Sequence, residues 1–190
     1  MRRAPLAVAA TLAVLAGGCG NNRQPPPDVH TPGPPLGSNQ AEYPQAGLHF
    51  LAPAGWNTDA GQPPLVATIA TGDASVAIFR YPRTEPLPKT RAQLDAALDS
   101  LVAAAKARDA TFTELKRGRL RVDGKPAVQV RGTETIEGHP RTVRSTHVYA
   151  EGAEIVIDAF APADVFKRVD AEVFRHVLRS MQISKPQGGP

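Results

Sequence analysis

One cysteine in 190 residues excludes an internal disulfide framework, so the folded part must be held by its core alone. Nucleophile motifs are missing as well. There is no Gly-x-Ser-x-Gly elbow, no His-Glu-x-x-His, no Gly-rich phosphate loop and no free cysteine in the body of the chain. Ser38, Ser75, Ser100, Ser145, Ser180 and Ser184 stand in ordinary tether, turn, helix or strand contexts. His30, His49, His139, His147 and His176 are scattered, and only His139 and His147 are placed to meet a carboxylate such as Asp158 across a sheet. No enzyme activity, metal site or cofactor is therefore expected. No repeat of 20–50 residues is visible, and one tryptophan, Trp56, follows a Pro-Ala-Gly turn as a core plug rather than a ligand platform.

The chain also lacks an apolar run of spanning length. Ala4 to Ala16 form a segment of about 13 residues behind Arg2 and Arg3, short of the ~20 a membrane helix needs and of the length of an export signal. The segment Leu15-Ala16-Gly17-Gly18-Cys19 resembles a bacterial lipobox. That resemblance implies cleavage before Cys19 and a diacylglyceryl thioether on its sulfur, placing the protein in the cell envelope. The usual leucine three places before the cysteine is Ala16 here, so ordinary signal cleavage after Ala16 stands as the alternative. One acyl chain anchors marginally and two anchor stably. A thioether also removes the liability of an unpaired exported thiol.

The chain carries 22 Lys and Arg against 18 Asp and Glu; without Arg2 and Arg3 the balance is 20 against 18. A surplus that small is weak support for a nucleic-acid partner, and none is expected. Boundaries follow from composition. Residues 1–18 are the signal, 19–46 a lipidated cysteine with a Pro-rich disordered tether, 47–183 the folded domain and 184–190 a disordered tail. Pro25, Pro26, Pro27, Pro32, Pro34 and Pro35 dominate a tether almost free of apolar residues. At ~3.1 Å per residue its ~25 residues would reach roughly 80 Å.

Within the domain, Leu94, Leu98, Leu101, Val102 and Ala105 mark one face of a helix over 91–107, with Thr90 and Gln93 as a capping box. Phe166, Val169, Val173, Phe174, Val177, Leu178 and Met181 mark a second over 163–181. Strands are expected at 48–51, 65–71, 75–81, 111–121, 125–135, 139–150 and 154–160, with Gly124, Gly138 and Gly152 as hairpin turns. The fold class is α+β, a central antiparallel sheet packed with two long helices. At Val122-Asp123-Gly124 a three-residue loop separates charge from core. Leu120, Pro126, Val128 and Val130 then face one way, and Arg117, Arg119, Arg121, Lys125 and Arg131 the other. That basic face is a candidate docking surface for an anionic lipid, an anionic wall polymer or an acidic partner. Asp95 and Asp99, four apart near the start of the first helix, read as a solvated face.

The strand running into Phe50-Leu51-Ala52-Pro53-Ala54-Gly55-Trp56, the Val122-Asp123-Gly124-Lys125-Pro126-Ala127 hairpin after a long helix, and the terminal helix ending in Arg179-Ser180-Met181 resemble PsbP-like domains. The nearest kinds are envelope lipoproteins of the LpqN-like and DcrB-like type. The resemblance implies an accessory or binding protein and carries over no catalytic residue. A membrane-anchored, non-enzymatic binding or assembly module is expected, partnered by the membrane through its lipid and by an envelope protein or an anionic surface. The alternatives are a carrier of a small or lipidic ligand between sheet and helices, and a hydrolase.

Overall fold

A computed structural model describes residues 28–188. The signal, Cys19 and the tether up to residue 27 lie outside the described residues, as do residues 189 and 190. In chain order the elements are β1 (Ser38–Tyr43), β2 (Leu48–Pro53), β3 (Asn57–Ala60), β4 (Leu65–Thr71), β5 (Ala74–Pro82), α1 (Arg91–Arg108), β6 (Thr113–Val122), β7 (Lys125–Ile136), β8 (His139–Ala150), β9 (Ala153–Pro162), α2 (Phe166–Val169), α3 (Arg175–Ser180) and β10 (Gln182–Ile183). Seven strands form one antiparallel sheet in the order β3-β4-β5-β9-β8-β7-β6, and β1-β2-β10 form a second.

The large sheet is covered on both faces. On its inner face Ile78, Ile155, Ile157 and Ala127 meet Phe50 of β2 and Phe166, Phe174 and Val177 of the C-terminal helical segment, all buried. On its outer face α1 lays Leu94, Leu98, Val102 and Ala105 over Val128, Val130 and Tyr149. The α1 start is the expected capping box: Gln93 N donates to Thr90 Oγ1 at 3.3 Å, and Thr90 N donates to Gln93 Oε1 at 3.0 Å.

Four expectations need correction. The helices are not two long ones. α1 has 18 residues, but the C-terminal segment is split into α2, a π-helical turn over Asp170–Phe174, and α3. The π turn carries Asp170, only 6% exposed, whose carboxylate meets the Arg144 guanidinium at 2.7 Å. Residues 28–46 are not a structureless tether. β1 pairs with β2 along its whole length, although its sequence, Ser-Asn-Gln-Ala-Glu-Tyr, offers little apolar surface. Main-chain bonds to β2 hold it, together with Ala41 and Tyr43, which pack against the core, Tyr43 stacking on Phe50. The start of the tail is tied down too, Ser184 N donating to Gly47 O and Gln187 N to Pro44 O.

The fourth correction is the hairpin register. Val122 pairs with Lys125, Arg121 with Pro126 and Arg119 with Val128, so the loop has two residues, not three. Asp123 and Gly124 both take positive φ, 49° and 69°, the combination a type I′ turn requires. The same pairing recurs at Glu137-Gly138 and Glu151-Gly152.

Candidate functional site

Two-residue turns move every residue of β6 relative to β7, and the expected basic face comes apart. Arg117 and Arg119 oppose Val130 and Val128, on the outer face beside α1. There Arg117 Nη1 meets Asp99 Oδ1 at 2.7 Å, and Arg119 pairs with Asp95. Asp95 and Asp99 are thus ion-pair partners rather than a merely solvated helix face. Arg121 donates to its own turn at Gly124 O, 2.6 Å away. Lys125 and Arg131 lie on the opposite face, in line with the buried Ala127. Lys125 Nζ reaches Glu151 Oε1 at 2.9 Å, and Arg131 stands across from Arg144. The five cations therefore do not share one face, and Arg117, Arg119 and Lys125 have carboxylate partners.

The β8–β9 hairpin assembles a different constellation. Its turn sets Ala150 opposite Ala153, which brings Tyr149 opposite Glu154 and Ser145 opposite Asp158 on the outer face. His147 lies between them. Its Nδ1 is 2.6 Å from Glu154 Oε1, and its Nε2 is 3.1 Å from Ser145 Oγ. Arg83, just past β5, completes the group by pairing with Glu154. Glu154 is 8% exposed. The hydrogen bond with His147, reinforced by Arg83, outweighs burial and holds its carboxyl down at about 2. Burial, with the Glu154 charge beside it, pushes the Tyr149 phenol up to about 12.

Serine, histidine and glutamate in this order have the outline of a hydrolytic triad. The hydrogen bonding disagrees with that role. Ser145 Oγ donates its proton to Asp158 Oδ1 at 2.5 Å, leaving only lone pairs toward His147. β8 is paired on both sides, by β7 and β9, so its backbone N–H groups belong to the ladders and not to an oxyanion hole. His147 meets the expected Asp158 only through Ser145; its direct partner is Glu154, which the pattern of strands alone did not single out.

What the group does form is the floor of a cleft. Arg83, His147, Tyr149 and Glu154 lie beside Pro86, Leu87, Pro88 and the α1 residues Ala97, Leu101 and Ala104, around an open cleft of about 480 Å³. An apolar wall over a few convergent polar groups is the usual composition of a binding site. Arg83 N donates to Gly152 O at 2.9 Å, which fixes the Pro-rich segment against the sheet.

The other expected positions are dispersed. Trp56 is buried as a core plug, its Nε1 donating to Gly33 O at 3.1 Å. His30 bonds Asp73, His49 bonds Gln182, His176 bonds Ser38, and His139 is exposed at the β8 start. Among the described residues no three His, Cys, Asp or Glu side chains converge as metal ligands, and no helix is long and apolar enough to cross a membrane.

No protein-family model matches the chain, and no curated protein matches its sequence. Solved structures do match its fold. The solution structure of cyanobacterial PsbP, CyanoP, from Synechocystis sp. PCC 6803 superposes with a TM-score of 0.61 at 14% identity, over 89% of this chain and 99% of that one. LpqN, described as involved in cell envelope biogenesis of Mycobacterium tuberculosis, gives 0.56 at 13% identity, over 77% and 90%. A Pseudomonas aeruginosa protein of unknown function, described as a putative regulator, gives 0.51 at 13%, over 80% and 99%. The fold is PsbP-like.

Proposed function

We propose that the chain is a non-enzymatic binding or assembly module of the bacterial cell envelope, anchored by a lipid on Cys19. The observation that carries the binding role is the cleft over Arg83, His147, Tyr149 and Glu154. It combines an apolar wall with polar groups whose hydrogen bonds orient them, on a face that α1 covers only in part. The PsbP-like fold supports the envelope setting, because one protein of that fold, LpqN, is described as acting in envelope biogenesis.

The carrier alternative needs a pocket between sheet and helices. On the inner side Phe50, Phe174, Ile78 and Ile155 fill that space, so a lipidic ligand there would have to displace the core, which leaves the cleft beside α1 as the place for a small ligand. The cations proposed for an anionic surface are split between two faces and largely paired, which favours an envelope protein as the partner. A photo-cross-linking side chain at Ala104, exposed on the cleft wall, tests this in living cells. The expected result is one discrete envelope-protein adduct that is missing from the same probe at Thr58, on the distant β3. Equal labelling from both positions, or none from Ala104, would contradict the cleft as the binding site.

A further inference from the structure

The described residues ahead of β1 are clasped to the domain at several separate points. His30 O accepts from Asp73 N at 2.8 Å, and the His30 ring meets Asp73 Oδ1 at 3.1 Å. Pro32 is buried and its carbonyl accepts from Arg168 Nη2 at 3.0 Å. Gly33 O accepts from the Trp56 indole, and Leu36 N donates to Ala54 O at 2.8 Å. Gly72, at φ +50°, permits the closest approach, since a Cβ there would stand 2.5 Å from His30 O.

These clasps decide at which end the chain enters the domain. His30, Asp73, His139, Arg141 and Pro162 gather at one end of the large sheet, around a shallow cleft of about 440 Å³. The Asp123-Gly124 and Glu151-Gly152 turns and Ala46 gather at the other, where Arg80 donates to both Ala46 O and Glu151 O. Arg83, Tyr149 and Glu154 lie toward this second end, next to the Glu151-Gly152 turn. β1 runs from the first end to the second. A loose chain up to residue 46 would therefore tie the domain to its anchor by the cleft end. β1 docked on β2 moves the tie to the opposite end, at Ser38, and residues 28–37, docked as well, shorten the chain ahead of the first contact from the eighteen residues 20–37 to the eleven residues 20–30.

We propose that residues 28–37 are an orienting strap, holding the His30–Asp73 end toward the membrane so that the Arg83–Glu154 cleft opens away from it, toward a protein rather than lipid headgroups. This rests on the lipid anchor at Cys19 proposed above. Lengths support it. From Gly20 to His30 there are eleven residues, which can span at most about 37 Å. The 12 residues of β8 separate the two ends by roughly 40 Å. Inverting the domain would need more than the full contour length of those eleven residues.

The test uses the full lipidated protein in neutral phosphatidylcholine vesicles that carry a headgroup acceptor dye. A donor dye is placed on a single introduced thiol, His139→Cys at the strap end or Arg121→Cys near the cleft end. Energy transfer from position 139 should be several-fold stronger than from 121. Removing two clasps (His30→Ala with Arg168→Ala), or crowding the strap with Gly72→Val, should bring the two values together. Equal transfer in the native protein, or stronger transfer from 121, overturns the orientation. Failure of the anchor reads out differently: the native protein then stays in the supernatant whichever thiol is labelled, overturning both the anchor and the orientation that depends on it.

Discussion

The two faces of the seven-stranded sheet are built from the same strands and do different work. The inner face carries the larger apolar layer, with Phe50, Ile78, Ile155, Phe174 and Val177 at or near zero exposure, interrupted along β7 and β8 by Gln129, Thr146 and the Arg144–Asp170 pair. The outer face has a smaller apolar cluster under α1 and, beside it, a row of charged and polar groups that satisfy one another: Arg83, Glu154, His147, Ser145 and Asp158. The inner cluster is the larger of the two, so burial there should contribute more to stability. The outer face keeps polar groups in fixed positions where a partner can reach them.

The largest effect that separates the faces is a core truncation. Phe50→Ala removes a fully buried ring from the inner layer and should cost about 3–5 kcal/mol, read from denaturant midpoints. Leu98→Ala on the outer cluster, at 6% exposure, should cost nearer 2 kcal/mol, the low end for such a change. Equal losses would mean that the outer cluster is as much a core as the inner one.

Glu154→Gln comes next. It removes a charge-assisted partner from both His147 and Arg83 and should cost about 2 kcal/mol. The pH dependence follows from the same pairing. The folded carboxyl titrates at about 2, against an ordinary value of 4.5. Its contribution is therefore complete above about pH 4.5 and is lost as pH falls toward 2. In the Gln variant this acid-sensitive component should be missing from the stability profile.

Arg119→Ala should change least. Its pair with Asp95 is partly solvated, so a loss below ~1 kcal/mol is expected, diminished further by salt. A loss several times larger would make the rim arginines part of the core.

That rim is where reading the sequence alone went astray. Separating charge from core at the β6–β7 hairpin favoured the three-residue loop, because arginines opposite Val128 and Val130 looked forbidden. They are tolerated because β6 is an edge strand, where a long side chain covers the apolar rim while its guanidinium reaches Asp95 or Asp99 on α1. The three Gly-centred hairpins, by contrast, were legible from local turn chemistry, as was the α1 cap. β1 was not, since its only apolar alternation is Ala41 and Tyr43, too short to stand out beside the Pro-rich segment before it, and pairing with β2 supplies the rest. The His147–Glu154 contact was within reach of the β8–β9 register, once two-residue turns are accepted for the whole meander. The π turn at Asp170 had no periodic signal of its own: the apolar stripe from Phe166 to Met181 reads as one regular helix.

Everything proposed about setting depends on Cys19, and intact-mass analysis of the mature protein from its native membrane tests that directly. The account predicts a chain that begins at Cys19 and carries a diacylglyceryl group, with Cys19→Ala releasing the protein to the soluble exported fraction. An unmodified chain beginning at Gly17, cut after Ala16, would contradict it.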